Sequence, residues 1–213
     1  MLVVNKPAGM VVHRGWAREG PVLVDELRRL TGLERVHPVH RLDRGTSGAL
    51  VVALDVERAR SLREAWDGGL VSKCYLALVR GYPPEGGEID HPLPRRQGGP
   101  RVPAQSSFLR LCTAATEPRH VSLVKVWPRT GRLHQVRRHL KHISYPVIGD
   151  ANYGKGPLNR ALRDRYGLAR LALHALELTL PSSGAAPLRV RAPLPDDLTR
   201  PWRQMGLWWE SEL

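Results

Sequence analysis

Residues 40–69, "HRLDRGTSGALVVALDVERARSLREAWDGG", constrain the fold more than any other part of the chain. Positions 49–54 form an unbroken apolar run of strand length. Asp55 follows at once as a helix N-cap, because its short carboxylate can accept a backbone N–H of the first turn. Val56, Ala59, Leu62 and Trp66 then share one helical face, and Gly68 and Gly69 stop the helix. The next run, "KCYLALVRG", is a strand on which Tyr75, Ala77 and Val79 point the same way by its two-residue period. Strand, helix and strand in such close succession exclude an all-helical or all-β chain.

Further β-type runs lie at 2–4, 121–127 and 171–180, so the expectation is a mixed α+β fold. The segment 81–103 is rich in Pro and Gly and reads as turns or an exposed insertion. No repeat or low-complexity tract divides the chain, and its 213 residues are expected to make one domain. A second helix is expected in "GRLHQVRRHLKHI", where Leu133, Val136, Leu140 and Ile143 recur at helical spacing and form the buried stripe. At about 100° per residue, Arg137 falls at the edge of that stripe, while Arg138 and His142 point away from it. A half-buried guanidinium needs a carboxylate or phosphate partner, since an unpaired buried charge costs several kcal/mol. Trp202, Trp208 and Trp209, in the tail "PWRQMGLWWESEL", are read as core packing.

Lys and Arg number 33 against 20 Asp and Glu, a formal net charge of +13. Such an excess favours a polyanionic partner, nucleic acid before an anionic membrane surface. The opening "MLVVNKPAGMVVHRG" lacks the basic and long apolar regions of an export signal, and no apolar run approaches the roughly 18 residues of a membrane span. A soluble cytoplasmic protein with no membrane partner is expected, with Cys74 and Cys112 as reduced thiols.

Against that cationic background Asp43 stands out, a single acid among His37, His40, Arg41 and Arg44. An arbitrary loop aspartate pairs with a neighbour or caps a turn. Here the surrounding cations favour the ionised form, suited to nucleophilic attack or to stabilising a cation. The same cations repel a divalent ion, so neither His37 and His40 nor His139 and His142 are read as metal ligands. Hydrolysis by paired carboxylates would need a second acid, which no nearby motif supplies.

"HRLDRGTSG" resembles the catalytic motif of the RluA-type pseudouridine synthases. "VNKPAGMVVH", "SKCYLALVRG", "RTGRLHQVRRHLKHISYPVIGDANYG" and "RLALHALEL" match further motifs of that family in order. The resemblance implies the pseudouridine-synthase fold, a mixed and mostly antiparallel sheet flanked by helices with a central catalytic cleft. It implies a cofactor-free isomerisation in which the uridine N1–C1′ bond breaks, the uracil turns and C5 rejoins C1′. No water is activated, so one carboxylate suffices where a glycosidase needs two. Asp43 matches the family's essential aspartate, Tyr75 the tyrosine that stacks on the base, and Arg137 the arginine paired with the aspartate. Leu173 matches the apolar residue under the base, and Arg41 the side chain that replaces the extruded base in the RNA stack. His40, Arg138 and Lys141 join Arg41 as RNA-binding residues.

"VHRGW", the doubled arginine of "HQVRRHLKH" and "NRALRDRYGLARLALHA" look closer to the tRNA-modifying members, implying a uridine in the T stem, position 65 in tRNA numbering. Ribosomal RNA is the alternative substrate, and a non-catalytic RNA chaperone the alternative class. Members ordinarily carry a strand ahead of the "NKP" segment, and Phe108 stands where tyrosine is common. No separate RNA-binding domain is visible, so RNA contacts are expected from the catalytic domain itself, acting as a monomer without metal.

Overall fold

The computed structural model describes residues 1–15, 19–95, 98–154, 156–182 and 186–208. In chain order the elements are β1 (Leu2–Lys6), α1 (Leu23–Thr31), β2 (His37–Pro38), β3 (Ser47–Ala53), α2 (Val56–Asp67), β4 (Ser72–Arg80), β5 (Gly86–Asp90), β6 (Leu93–Pro94), β7 (Arg101–Val102), β8 (Gln105–Ala114), β9 (Val121–Pro128), α3 (Gln135–His142), α4 (Gly156–Tyr166), β10 (Leu173–Leu180), β11 (Leu188–Arg191) and α5 (Asp196–Gln204). The fold is α+β with mixed, mostly antiparallel strand pairing, as expected. Two compact units divide the chain, one of residues 1–73 and 174–193, the other of residues 74–173 and 194–213.

The first unit is organised around β3. Its neighbours β1 and β2 run antiparallel to it, while β10 lies parallel through His174 opposite Ser47 and Ala175 opposite Gly48. β11 closes on β10 in antiparallel register. Every residue of β3 is buried, which explains why its sequence is continuously apolar beyond Gly48 rather than alternating. Ala49, Val51 and Ala53 pack against Ala59 and Leu62 of α2. Asp55 caps that helix as expected, its Oδ1 accepting the Arg58 N–H at 2.7 Å.

Gly48 sits where a side chain cannot. Its φ is +120°, and a Cβ there would stand 2.2 Å from the Ala175 carbonyl oxygen. The parallel contact between β3 and β10 therefore depends on a bare backbone at this position.

In the second unit β9 pairs antiparallel with both β4 and β8, and β8 pairs with β5. β6 and β7 form a separate two-stranded ladder. Ala77 and Val79 of β4, Phe108 of β8, and Val124 and Val126 of β9 meet Val136 and Leu140 of α3 in one apolar cluster. The stripe expected on α3 is thus the one buried, with Leu133 and Ile143 at its half-buried margins.

Three expectations need correction. Segment 81–103 is not simply exposed, because it contains β5, β6 and β7 and buries Ile89 and Leu93. The ten-residue β8 lies outside every strand expected from the sequence. Its inward-facing Ser106 is buried and hydrogen-bonded, which breaks the apolar alternation that signals a strand. In the tail, Trp202 is buried on α5 whereas Trp208 is 71% exposed. The chain turns at Gly206 with φ +77°, and Leu207 takes the buried place instead. Trp209 lies outside the described residues. Both cysteines are free thiols. No helix among the described residues is long and apolar enough to cross a membrane.

Gly48→Ala is expected to destabilise the protein by about 3 kcal/mol or more, from the strained φ and the backbone clash together. Denaturant unfolding of the variant beside wild type measures the loss.

Candidate active site

In the first unit, Asp43 lies on a short loop between β2 and β3 that is held at both flanks. Leu42 is 4% exposed and anchors the loop in the core. Arg44 clamps it to the turn after β1: the Gly9 N–H donates to the Arg44 carbonyl at 2.7 Å, and Arg44 Nε donates back to the Gly9 carbonyl at 3.0 Å. The Thr46 N–H donates to the Asp43 carbonyl at 3.0 Å, closing the turn. Between these fixed points Asp43 is half-buried, and Arg41 on its other side is exposed. Among the described residues Arg41 makes no ion pair. Its charge, second to burial, helps hold the His13 imidazole below its ordinary value.

His40 secures the entry to this loop. Its Nε2 accepts the Val51 backbone N–H at 2.9 Å, which places its proton on Nδ1. The ring stacks on Trp66 of α2 with centroids 4.3 Å apart. Burial, with a smaller contribution from Lys73, pushes its pKa down to about 3, so the imidazole is neutral at every physiological pH. At the other end of the loop, Ser47 Oγ lies 2.8 Å from His174 Nδ1, and His174 Nε2 donates to the Ala192 carbonyl at 3.2 Å. The Asp43 loop is therefore suspended between two histidines with structural duties.

In the second unit, β4 presents Tyr75 at the margin of the same apolar cluster that contains Leu173. Here two expected site residues, 98 positions apart in the sequence and on different strands, belong to one apolar cluster with Ala77, Val126 and Val136. Arg137 leaves α3 toward residue 150. Nε donates to Asp150 Oδ2 at 2.7 Å and Nη2 to Oδ1 at 2.9 Å, a two-pronged pair whose side chains are 9% and 0% exposed. The Asn152 and Tyr153 backbone N–H groups each donate to Asp150 Oδ1 at 2.9 Å. Arg138 is half-exposed, and Lys141 is exposed with its ammonium 5.7 Å from the Tyr153 ring.

Asp150 is not among the expected site residues, although the burial argument for Arg137 asks for a carboxylate or phosphate partner. The turn that delivers it is held by Gly149, whose φ is +75° and whose Cβ would meet the Arg170 carbonyl oxygen at 1.9 Å. A second unforeseen group orients α3 itself. Gln135 Nε2 donates to the Gln105 carbonyl and to Ser106 Oγ at 2.8 and 3.0 Å, while its Oε1 accepts from Thr130 Oγ1 and the Arg132 N–H at 2.7 and 2.9 Å. Ser106 Oγ lies 2.9 Å from His139 Nδ1. A polar residue at a helix start signals capping, but its four partners come from strands and loops that periodicity does not connect.

A family model described as RNA pseudouridylate synthase matches residues 1–142. The chain is 40% identical over 193 residues to the tRNA pseudouridine synthase C of Haemophilus ducreyi, covering 82% of this chain and 79% of that one. It is 41% identical over 197 residues to the tRNA pseudouridine synthase C of Pasteurella multocida, covering 84% and 81%. Among solved structures it resembles human RNA pseudouridylate synthase domain containing 4, with a TM-score of 0.78 at 27% identity over 96% of this chain and 89% of that one. Human RNA pseudouridylate synthase domain containing 1 gives 0.76 at 29% identity over 93% and 82%.

Burial alone would raise the Asp150 carboxyl, but the hydrogen bonds from Arg137 and from the Tyr153 and Asn152 amides, with the Arg137 charge, overcome it and hold the group below its ordinary value. A carboxylate depressed in the folded state contributes stability that is present above its unfolded value, near pH 4, and lost as pH falls through the folded one. Unfolding free energy measured between pH 7 and pH 3 should therefore fall less steeply for Asp150→Asn than for wild type, from a lower plateau. The plateau should drop by about 3 kcal/mol or more, because a buried ion pair is broken.

Proposed function

This chain belongs to the RNA pseudouridylate synthase family, and from that premise we propose that it isomerises uridine 65 in the T stem of tRNA to pseudouridine, with Asp43 as the catalytic carboxylate. The observation that carries the tRNA reading is the 40 and 41% identity, over about four-fifths of each chain, to relatives called tRNA pseudouridine synthase C. The chemistry is an isomerisation: the N1–C1′ bond breaks, the uracil turns while held, C5 bonds to C1′, and the C5 proton departs as N1 becomes an N–H. No group leaves the site and no water enters the reaction, so a second carboxylate has no task.

In this reading Asp43 acts on the nucleotide as the glycosidic bond cleaves. The clamps on Leu42, Arg44 and His40 support that role, since a reacting group held in place pays little of the ordering cost during the reaction. Tyr75 stacks on the base and takes part in removing the C5 proton, and Leu173, in the same apolar cluster as Tyr75, packs beneath the base. Arg137 is the family's pairing arginine. Its pair with Asp150 supports an orienting role, because two of its donors are already set and the planar guanidinium cannot turn. Exposed Arg41 fills the gap that base extrusion leaves in the RNA stack, while Arg138 and Lys141 meet phosphates. The protein works in the cytoplasm as a monomeric catalytic domain, with no cofactor or metal.

The test is pseudouridine mapping by carbodiimide labelling and primer extension in cells lacking the gene, complemented with wild type or Asp43→Asn. One T-stem mark should vanish and return only with wild type. A lost mark in ribosomal RNA would overturn the tRNA assignment, and no changed mark would favour a binding protein. Purified Asp43→Asn should lose turnover by several orders of magnitude yet bind tRNA at least as tightly, having shed a negative charge. Parallel loss of binding and turnover would give Asp43 a structural role instead.

A further inference from the structure

The face of α3 that points away from the apolar cluster carries an arrangement that the isomerisation does not use. His142 stacks on His91, at the start of the β6–β7 hairpin, with ring centroids 3.7 Å apart and planes 16° from parallel. Arg101 of β7 places Nη1 3.2 Å from His91 Nε2. Arg138 precedes His142 by one helical turn, and its charge also acts on His91. Beneath them the buried His139 lies with Nε2 3.0 Å from the His91 carbonyl and Nδ1 2.9 Å from Ser106 Oγ. That bond ties the helix to the hairpin.

Burial holds His139 below its ordinary value; the acid whose charge opposes this is Asp90, which accepts a hydrogen bond from Gln105 Nε2 at 3.0 Å. Among the described residues neither Arg101 nor Arg138 forms an ion pair. Two guanidiniums and a face-to-face imidazole pair thus converge on one half-exposed patch, the guanidinium charges unmatched by a carboxylate. Proteins place such clusters where a polyanion docks, because each phosphate neutralised releases counterions.

We propose that His91, His142, Arg101 and Arg138 grip a backbone phosphate of the RNA, and that His91 takes a proton from solvent as it does so. The inference rests on the reading of this chain as an RNA-modifying enzyme. With Arg101 donating to Nε2, the neutral His91 ring keeps its proton on Nδ1. A phosphate offers Arg101 a stronger, two-pronged partner. Nε2 is then released, gains a proton and becomes a third donor to the same phosphate.

The direction of the pH effect follows from the groups that face His91. Burial first, then His142, Arg101 and Arg138, hold it below its ordinary value of 6.5 in the RNA-free protein. A bound phosphate opposes the last two, so the bound value is the higher one. Affinity for RNA therefore rises as pH falls through the bound value and levels off below the free one.

The experiment measures binding of an unmodified tRNA transcript by fluorescence anisotropy from pH 5.5 to 8.5 at constant ionic strength. The proteins are full-length Asp43→Asn, which does not consume the substrate, and the same protein carrying His91→Gln, His142→Gln or Arg101→Gln. Expected for the parent is tightening by up to about tenfold per pH unit, the limit for one proton. His91→Gln should flatten that dependence, and Arg101→Gln should reduce the slope of log Kd against log salt by about one. His142 is exposed, so His142→Gln should fold normally and still weaken binding.

Unchanged pH and salt slopes in all three variants would overturn the phosphate grip. Wild-type turnover of the same transcript separates this from the wider reading. If the transcript is isomerised but the slopes do not move, the grip alone falls; if it is neither bound nor isomerised, both do. Equal weakening at every pH in His91→Gln would overturn the proton uptake.

Discussion

A guanidinium taken out of water must be met by an anion, and the meeting of Arg137 with Asp150 organises much of the second unit. The pair joins α3 to the turn before α4, and each partner is set by a separate device. Gln135 fixes the start of α3 through four hydrogen bonds, whereas Gly149 lets the opposite turn pass close to the Arg170 carbonyl. Two backbone amides complete the carboxylate's shell, so the pair is buried without leaving Asp150 short of donors. Breaking such a buried, two-pronged ion pair from either side costs about 3 kcal/mol or more.

The first unit solves a different problem, that of holding a half-buried loop acid in place. His40 and His174 bracket the loop, and each has a ring nitrogen engaged by backbone, Val51 for one and Ala192 for the other. His40, with its pKa pushed down to about 3, adds no charge to the field around Asp43. Arg41 and Arg44, on either side of Asp43, are exposed.

Much of this was legible in the sequence where one residue type performs one local task. Asp55 announced the start of α2, the 49–54 run announced β3, and helical spacing placed Val136 and Leu140 inside and Arg137 at the margin. The need of Arg137 for a carboxylate or phosphate partner was also legible. That Asp150 meets it was not, because the pairing depends on a turn 13 residues away whose geometry is set by Gly149. β8 stayed hidden for a related reason: Ser106 faces inward to serve Gln135 and His139, and a polar residue satisfied by distant partners resembles a loop when read alone. The stack of His91 on His142 joins two segments that only the folded chain places side by side.

The bare backbone contact between Gly48 and Ala175 also governs how this protein can change over generations. Ala175 meets Gly48 through its carbonyl and amide rather than its methyl group, so no replacement of the alanine can make room for a side chain on the glycine. Most paired positions in a core can drift together, one growing as the other shrinks. This pair has no such path, and any lineage carrying a larger residue at 48 would first have to re-register two strands.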